Sequence, residues 1–146
     1  MRASWIALVA VAALIVAAVA FGRQPAVALA LAAPSFVLLA INLFVIGRFA
    51  AGPAGSLVLG MDRQVAKWGY LLIAIVAYAW LVLTVANDWL PQKSAAAALT
   101  VALSFPAGRD LLEYADDPEN LAPAVKRSLI AVLAHGVVLA IALAFF

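Results

Sequence analysis

The stretch "PQKSAAAALTVALSFPAG", residues 91–108, decides how many times this chain crosses a membrane. A spanning helix needs about 20 mostly apolar residues. Four other segments meet that requirement without a single charge: Ala3–Phe21, Ala26–Ile46, Trp68–Ala86 and Ser128–Phe146. Residues 91–108 are less clear, because their uninterrupted apolar part is short. Three features nevertheless suit a crossing. Pro91 fits the first turn of a helix, Lys93 has a stem long enough to snorkel to an interface, and the whole stretch would extend about 27 Å as α-helix.

The basic residues arbitrate, because Lys and Arg concentrate in cytoplasmic loops. With four spans and a cytoplasmic N-terminus, Arg2, Arg48, Arg63 and Lys67 lie inside. Arg23, Lys93, Arg109, Lys126 and Arg127 then lie outside, a split of 4 to 5 with no bias. If residues 91–108 also cross, Arg109, Lys126 and Arg127 move inside and only Arg23 and Lys93 stay outside, a split of 7 to 2. The charge pattern therefore predicts an all-α polytopic bundle of five transmembrane helices, with four as the alternative. Residues 1–146 form a single integral membrane domain, N-terminus cytoplasmic and C-terminus outside. A bacterial or archaeal inner membrane is the expected location.

Composition agrees. Of the 146 residues, 68% are hydrophobic and 11% charged, with a mean hydropathy of +1.15. A soluble domain carries roughly 25% charge, so this surface is built for lipid. Net charge is +2 with basic residues scattered, which offers no patch for nucleic acid. The chain has no cysteine, which excludes disulfides, thiolate metal sites and cysteine nucleophiles. Arg2 before an apolar run resembles a signal peptide, with Ala18-Val19-Ala20 as its cleavage site. The run Ala3–Phe21 exceeds the usual 7–15-residue signal core, so it is read as a retained helix.

Gly22–Pro25 and Asn87–Leu90 are short external turns on this reading, with Trp89 an interface anchor. Gly47–Lys67 and Arg109–Arg127 are long cytoplasmic loops, where function tends to reside. Asp62 suits an N-cap before "RQVAKWGYLL". Arg109 and Glu113 form an i,i+4 pair on a continuation of the fourth helix, which Asp116, Asp117, Pro118 and Glu119 end.

The order of parts resembles a known family. A span carries Asn42 near its end, and a glycine-containing loop follows. Then come "SLVLGMDRQVAKWGYLLIAIVAYAWLVL", "NDWLPQ" and a short span with Pro near its end. "DDPENLAPAVKRSLIAVLAHGVVLAIAL" closes the sequence. From about Asn42 to Leu143 this resembles the C-terminal half of the UbiA superfamily, the intramembrane aromatic prenyltransferases. That resemblance implies the last five helices of a nine-helix fold. It also implies an Asn or Asp followed by acidic residues at four-residue spacing, holding Mg²⁺ and an isoprenoid diphosphate. Mg²⁺ requires oxygen ligands, and a departing diphosphate requires electrostatic stabilisation. Asn42 matches the first position. The next two fall near Ile46 and Ala50, and no residue from Leu43 to Met61 is acidic. The loop has the family's shape without its metal site, so no metal and no catalytic residue are expected.

The remaining polar residues divide into candidates. Asn42, Arg48, Arg63 and Lys67 are ligand-binding candidates, for a lipid phosphate or diphosphate; otherwise Asn42 bonds to neighbouring backbone and the three cations are ordinary positive-inside residues. His135, the only histidine, sits mid-span, and intramembrane ionisable groups are functional candidates by default. Ala131 and Gly136 leave room for a macrocycle, and the Ala-x-x-x-His spacing resembles chlorophyll-binding helices of light-harvesting polypeptides. The alternative is a neutral histidine hydrogen-bonded across a helix interface. Asp116, Asp117 and Glu119 read as a solvated turn. Ala10, Ala13, Ala17, Gly136 and Ala140 belong to small-residue stripes that let helices approach closely in lipid, making them interface candidates toward another chain.

These observations predict a non-catalytic or partner-dependent membrane subunit. It packs against other membrane chains, as a homo- or hetero-oligomer, or holds an isoprenoid-like lipid, with no cofactor of its own. One alternative is a prenyl-transfer or isoprenoid-modifying enzyme completed by a partner chain. Another is a subunit holding chlorin or haem through His135. The topology is directly testable, because a cysteine placed by Asp117→Cys is the only thiol in the chain. An impermeant thiol reagent added to intact cells should leave it unlabelled, whereas labelling before lysis would contradict the five-span arrangement.

Overall fold

The computed structural model describes residues 2–22, 25–51, 63–114 and 117–145. Five α-helices follow in order: α1 (Arg2–Phe21), α2 (Val27–Ala51), α3 (Arg63–Ala86), α4 (Val101–Tyr114) and α5 (Pro118–Phe145). A nine-residue 3-10 segment, Gln92–Thr100, leads directly into α4. The helices α2, α3 and α5 are long and apolar enough to cross a membrane, with mean hydropathies of 2.4, 2.2 and 2.5. The apolar part of α1, Trp5–Phe21, is shorter. The chain thus has the helical, lipid-compatible character of an integral membrane protein.

Several boundaries differ from the sequence reading, for one reason. Hydropathy locates the apolar part of a helix, but backbone hydrogen bonding carries the helix on into polar residues. α2 continues five residues past Ile46 to Ala51, so Arg48 lies in its last turn and not in a loop. Asn42 is therefore more than two turns inside the helix. α3 begins at Arg63, which makes Arg63 and Lys67 helical as well. Pro118 and Glu119 open α5 instead of ending α4, and Lys126 and Arg127 lie within α5. The proposed N-cap Asp62, the loop residues 52–62 and Asp116 lie outside the described residues.

Residues 91–108 form the 3-10 segment and the start of α4, with Pro91 as N-cap. Runs of 3-10 helix longer than three or four residues are uncommon. At about 2.0 Å rise per residue over Gln92–Thr100 and about 1.5 Å over Val101–Tyr114, the 3-10 segment and the whole of α4 together reach about 39 Å. The turn before it is compact. Asp88 takes a positive φ of 58°, which Asp tolerates better than most residues. The amides of Trp89 and Leu90 both return to the Thr84 carbonyl. Gln92 ties the turn to the segment through the Asp88 carboxylate at 2.7 Å.

Helix α5 is the hub, packing against α1, α2, the 3-10 segment and α4. Its neighbours alternate in direction. Gly22 at the end of α1 meets Leu143 and Ala144, and Val11 meets Gly136, so α1 runs parallel to α5. Ser35 sits at His135, while Asn42 and Ser128 share Tyr70 as a partner, so α2 runs antiparallel. The 3-10 segment and α4 also run antiparallel, from Ala97 beside His135 to Asp110 beside Arg127. The Arg127–Asp110 ion pair, at 2.8 Å, joins α4 to α5 near the surface. Such pairs contribute about 0–1 kcal/mol. The core is apolar, built around Leu39, Ile46, Phe49, Tyr70, Leu81, Leu111, Val132, Leu139 and Leu143.

Close approach at α5 depends on Gly136. A Cβ there would lie 2.3 Å from Val11 Cγ1 and 2.7 Å from Phe36 Cε2, so α1 and α2 both press on that one position. Gly136→Val should destabilise the bundle by about 1–3 kcal/mol through overpacking. Gly69→Val, at a position with open space around it, should change stability by less than about 1 kcal/mol. Thermal melting of both variants in detergent tests the contrast; equal shifts would show that Gly136 is not a packing point.

Candidate functional site

The polar side chains inside the bundle gather in two layers. The spacing on two helices produces them: Ser35 and Asn42 on α2, and Ser128 and His135 on α5, are each seven residues apart. Seven residues are close to two turns, so each pair shares one helix face. That face turns inward, and all four residues are buried.

The central layer surrounds His135, which is fully buried. Its Nδ1 lies 3.2 Å from the Ala97 carbonyl oxygen, with Thr100 Oγ1 farther off at 3.4 Å. A carbonyl only accepts, so Nδ1 carries the proton and donates. Nε2 then accepts, from the Ser35 hydroxyl at 2.8 Å. Thr100 also donates to the Ala97 carbonyl, at 2.8 Å. Tyr78 places its hydroxyl 2.9 Å from Thr100 Oγ1 and 2.8 Å from Ser104 Oγ. One donor order satisfies this set: Ser104 to Tyr78, Tyr78 to Thr100, Thr100 to Ala97, and Ser35 to His135 to Ala97. The Tyr78 ring also meets the imidazole edge to face, at 5.9 Å between centroids.

Local backbone features present these groups. The 3-10 geometry bonds its carbonyls less well than an α-helix does, and Ala97 offers its oxygen to His135 from such a stretch. On α2, Pro34 lies inside the helix and removes one amide donor from it. Neighbouring helices re-satisfy freed backbone groups in such cases. The amide that Pro34 lacks is the one that would bond the Ala30 carbonyl; Trp80 Nε1 of α3 donates one residue further on, to the Leu31 carbonyl at 2.7 Å. Ser35, in the next position, faces α5.

The second layer lies two turns away. Asn42 Nδ2 donates to the Tyr70 carbonyl at 3.0 Å, and the Tyr70 hydroxyl donates to Ser128 Oγ at 3.0 Å. Asn42 Oδ1 has no partner among the described residues, and neither does the buried Ser94 Oγ. Ile46, one turn beyond Asn42, is fully buried. A carboxylate at that position would enter the bundle; the isoleucine fills it with apolar volume. Among the described residues, no group of three or more His, Asp or Glu stands where it would hold a metal ion.

The structure keeps two of the sequence candidates apart. Asn42 and His135 occupy different layers. Arg48 is exposed at the end of α2, and Lys67 lies in the first turns of α3. His135 has both ring nitrogens engaged, and the room beside Gly136 is taken by Val11 and Phe36. An axial ligand role would require those bonds to break. Gly136 and Ala140 turn inward, so their small size serves packing within this chain. Ala10 and Ala13 are exposed on α1, and Ala17 is half-buried. Asp117 is exposed and accepts from Asn120. Sequence reasoning missed Ser35, Tyr70, Tyr78, Thr100, Ser104 and Ser128. For Ser35 and Ser128 the seven-residue spacing to Asn42 and His135 was the available signal; Tyr70, Tyr78, Thr100 and Ser104 lie on other elements and carried none.

The chain matches no protein-family model, no curated protein and no solved structure. The two layers define its interior chemistry as a hydrogen-bonded lock between helices. Interhelical hydrogen bonds inside membrane proteins average about 0.6 kcal/mol and reach about 1.7. A double-mutant cycle of Ser35→Ala and His135→Phe should give a coupling energy within that range. Strict additivity of the two substitutions in a melting experiment would remove the Ser35–His135 bond from the stabilising set.

Proposed function

We propose that this chain is a non-catalytic integral membrane subunit that packs against other membrane chains through the outer face of α1. The carrying observation is where its polarity is spent. The buried imidazole and most of the buried hydroxyls bond to one another or to backbone, while the outward face of α1 carries small residues, Ala10, Ala13 and Ala20, among exposed Ile6, Val9, Leu14 and Val16. Small residues let a second helix come close in lipid, where packing replaces the hydrophobic effect as the driving force.

Five crossings form part of the proposal. The alternation of helix direction supports them, since it puts Arg48, Lys67, Arg109, Lys126 and Arg127 at one end of the bundle and Lys93 at the other. The resemblance to the C-terminal half of the UbiA prenyltransferases fits the same arrangement. A nine-helix relative would cover these five helices with four more, and a partner chain would do so here.

Ala10→Leu with Ala13→Leu adds bulk to the stripe and keeps it apolar, so insertion is preserved. In mild detergent the wild type should run as an assembly, and the double variant as a single chain of 15.2 kDa. Native mass is the measurement. A wild type that is already a single chain would refute the subunit reading.

A further inference from the structure

A groove of about 430 Å³ opens between α1 and α2, lined by Trp5, Phe36, Val37, Ala40, Ile41 and Phe44. It exists because α1 rests on α5 far more than on α2. Its lining is apolar throughout, and Trp5, Val37 and Ile41 are each at least 40% exposed.

The groove has a direction. Val37, Ile41, Phe44 and Arg48 recur at four-, three- and four-residue steps, which places them along one face of α2. Trp5 meets Phe44 at one end of this line, with ring centroids 6.2 Å apart. Arg48 follows one turn, about 5–6 Å, beyond that aromatic pair. It is exposed, and no carboxylate among the described residues pairs with it. From the bundle's middle outward, the order is therefore aliphatic wall, aromatic pair, cation. This matches a membrane lipid: hydrocarbon at depth, aromatic rings at the interface and an anionic head in the polar region.

We propose that this groove seats one acyl chain of an anionic phospholipid, with Arg48 holding its phosphate. A protein helix would fill the aliphatic wall equally well but would not require, at the end of the line, a cation that no carboxylate among the described residues pairs. Charge complementarity selects the lipid. A guanidinium binds phosphate with paired N–H donors, and the leaflet on the positive-inside face is rich in anionic lipid. The seat is independent of the subunit reading, because it uses Trp5 and α2 and not the alanine stripe.

The test is native mass spectrometry of the delipidated chain titrated with phosphatidylglycerol or phosphatidylcholine of identical acyl chains. The wild type should retain phosphatidylglycerol about five-fold better, the preference that one basic residue near a membrane surface confers. Arg48→Gln should abolish the preference, and Arg48→Lys should keep most of it. Ala40→Trp fills the groove and should lower retention of both lipids, whereas Leu72→Trp on the exposed face of α3 should lower neither. Equal retention of the two lipids by the wild type would overturn the proposal. So would a preference that survives both Arg48→Gln and Ala40→Trp. If Ala40→Trp instead releases a bound polypeptide and leaves lipid retention unchanged, the groove is a helix seat and the proposal fails.

Discussion

The carbonyl of Ala97 accepts from His135 on one side and from Thr100 on the other, and the bundle interior is organised around that convergence. An imidazole in a nonpolar interior is costly unless both of its nitrogens are satisfied. Satisfying them here takes three separate pieces of chain: α2 for Ser35, α5 for the ring itself, and the 3-10 segment for the carbonyl. The requirement therefore fixes how those pieces sit relative to one another. Apolar packing in lipid is weakly directional, because side chains and lipid tails are alike in polarity. A hydrogen-bonded triad has a defined geometry. The Tyr70–Ser128 and Asn42–Tyr70 bonds repeat the device two turns away and add α3 to the set.

Two backbone irregularities serve this arrangement. Pro34 takes an amide donor out of α2, Trp80 of α3 donates to the nearby Leu31 carbonyl, and Ser35 follows at the position where His135 needs a donor. The 3-10 segment does the same on the opposite side by presenting Ala97. Neither residue attracts attention on hydropathy, and both lie at the points where three helices are tied. Gly136 completes the geometry by steric means, since only a missing Cβ lets Val11 and Phe36 reach the helix beside the imidazole.

Much of the fold was legible in the sequence, because long uncharged runs leave few options in a membrane. The all-α character and the positions of the apolar cores of α1, α2, α3 and α5 followed from the pattern of charges alone. Helix ends were not legible. Arg48 and Lys67 look like loop residues by polarity, yet the helix continues through them, since a long cationic side chain sits comfortably on a last or first turn. The interior site was half legible. His135 and Asn42 stood out as rare polar residues within spans, whereas Ser35, Thr100 and Ser128 are small enough to pass as filler in an alanine-rich helix. For Ser35 and Ser128 the meaning lay in the seven-residue spacing to Asn42 and His135, which becomes visible only when α2 and α5 are placed face to face; Thr100, on the 3-10 segment, had no such pattern. Arg48 was singled out for its charge; the aromatic pair one turn before it emerged only from the packing of α1.

The nine residues of 3-10 helix have a mechanical consequence. Per residue, a 3-10 helix rises about 0.5 Å more and turns about 20° more than an α-helix. Over Gln92–Thr100 the difference amounts to roughly 4–5 Å of length and roughly half a revolution. This segment is thus an extended coil spring set between the Asp88 turn and α4. Rewinding it as α-helix would shorten the strand of chain between those two anchors and swing its carbonyls to the far side. Depth and rotation at this point of the bundle are coupled, and the bond from His135 to Ala97 holds both at one value.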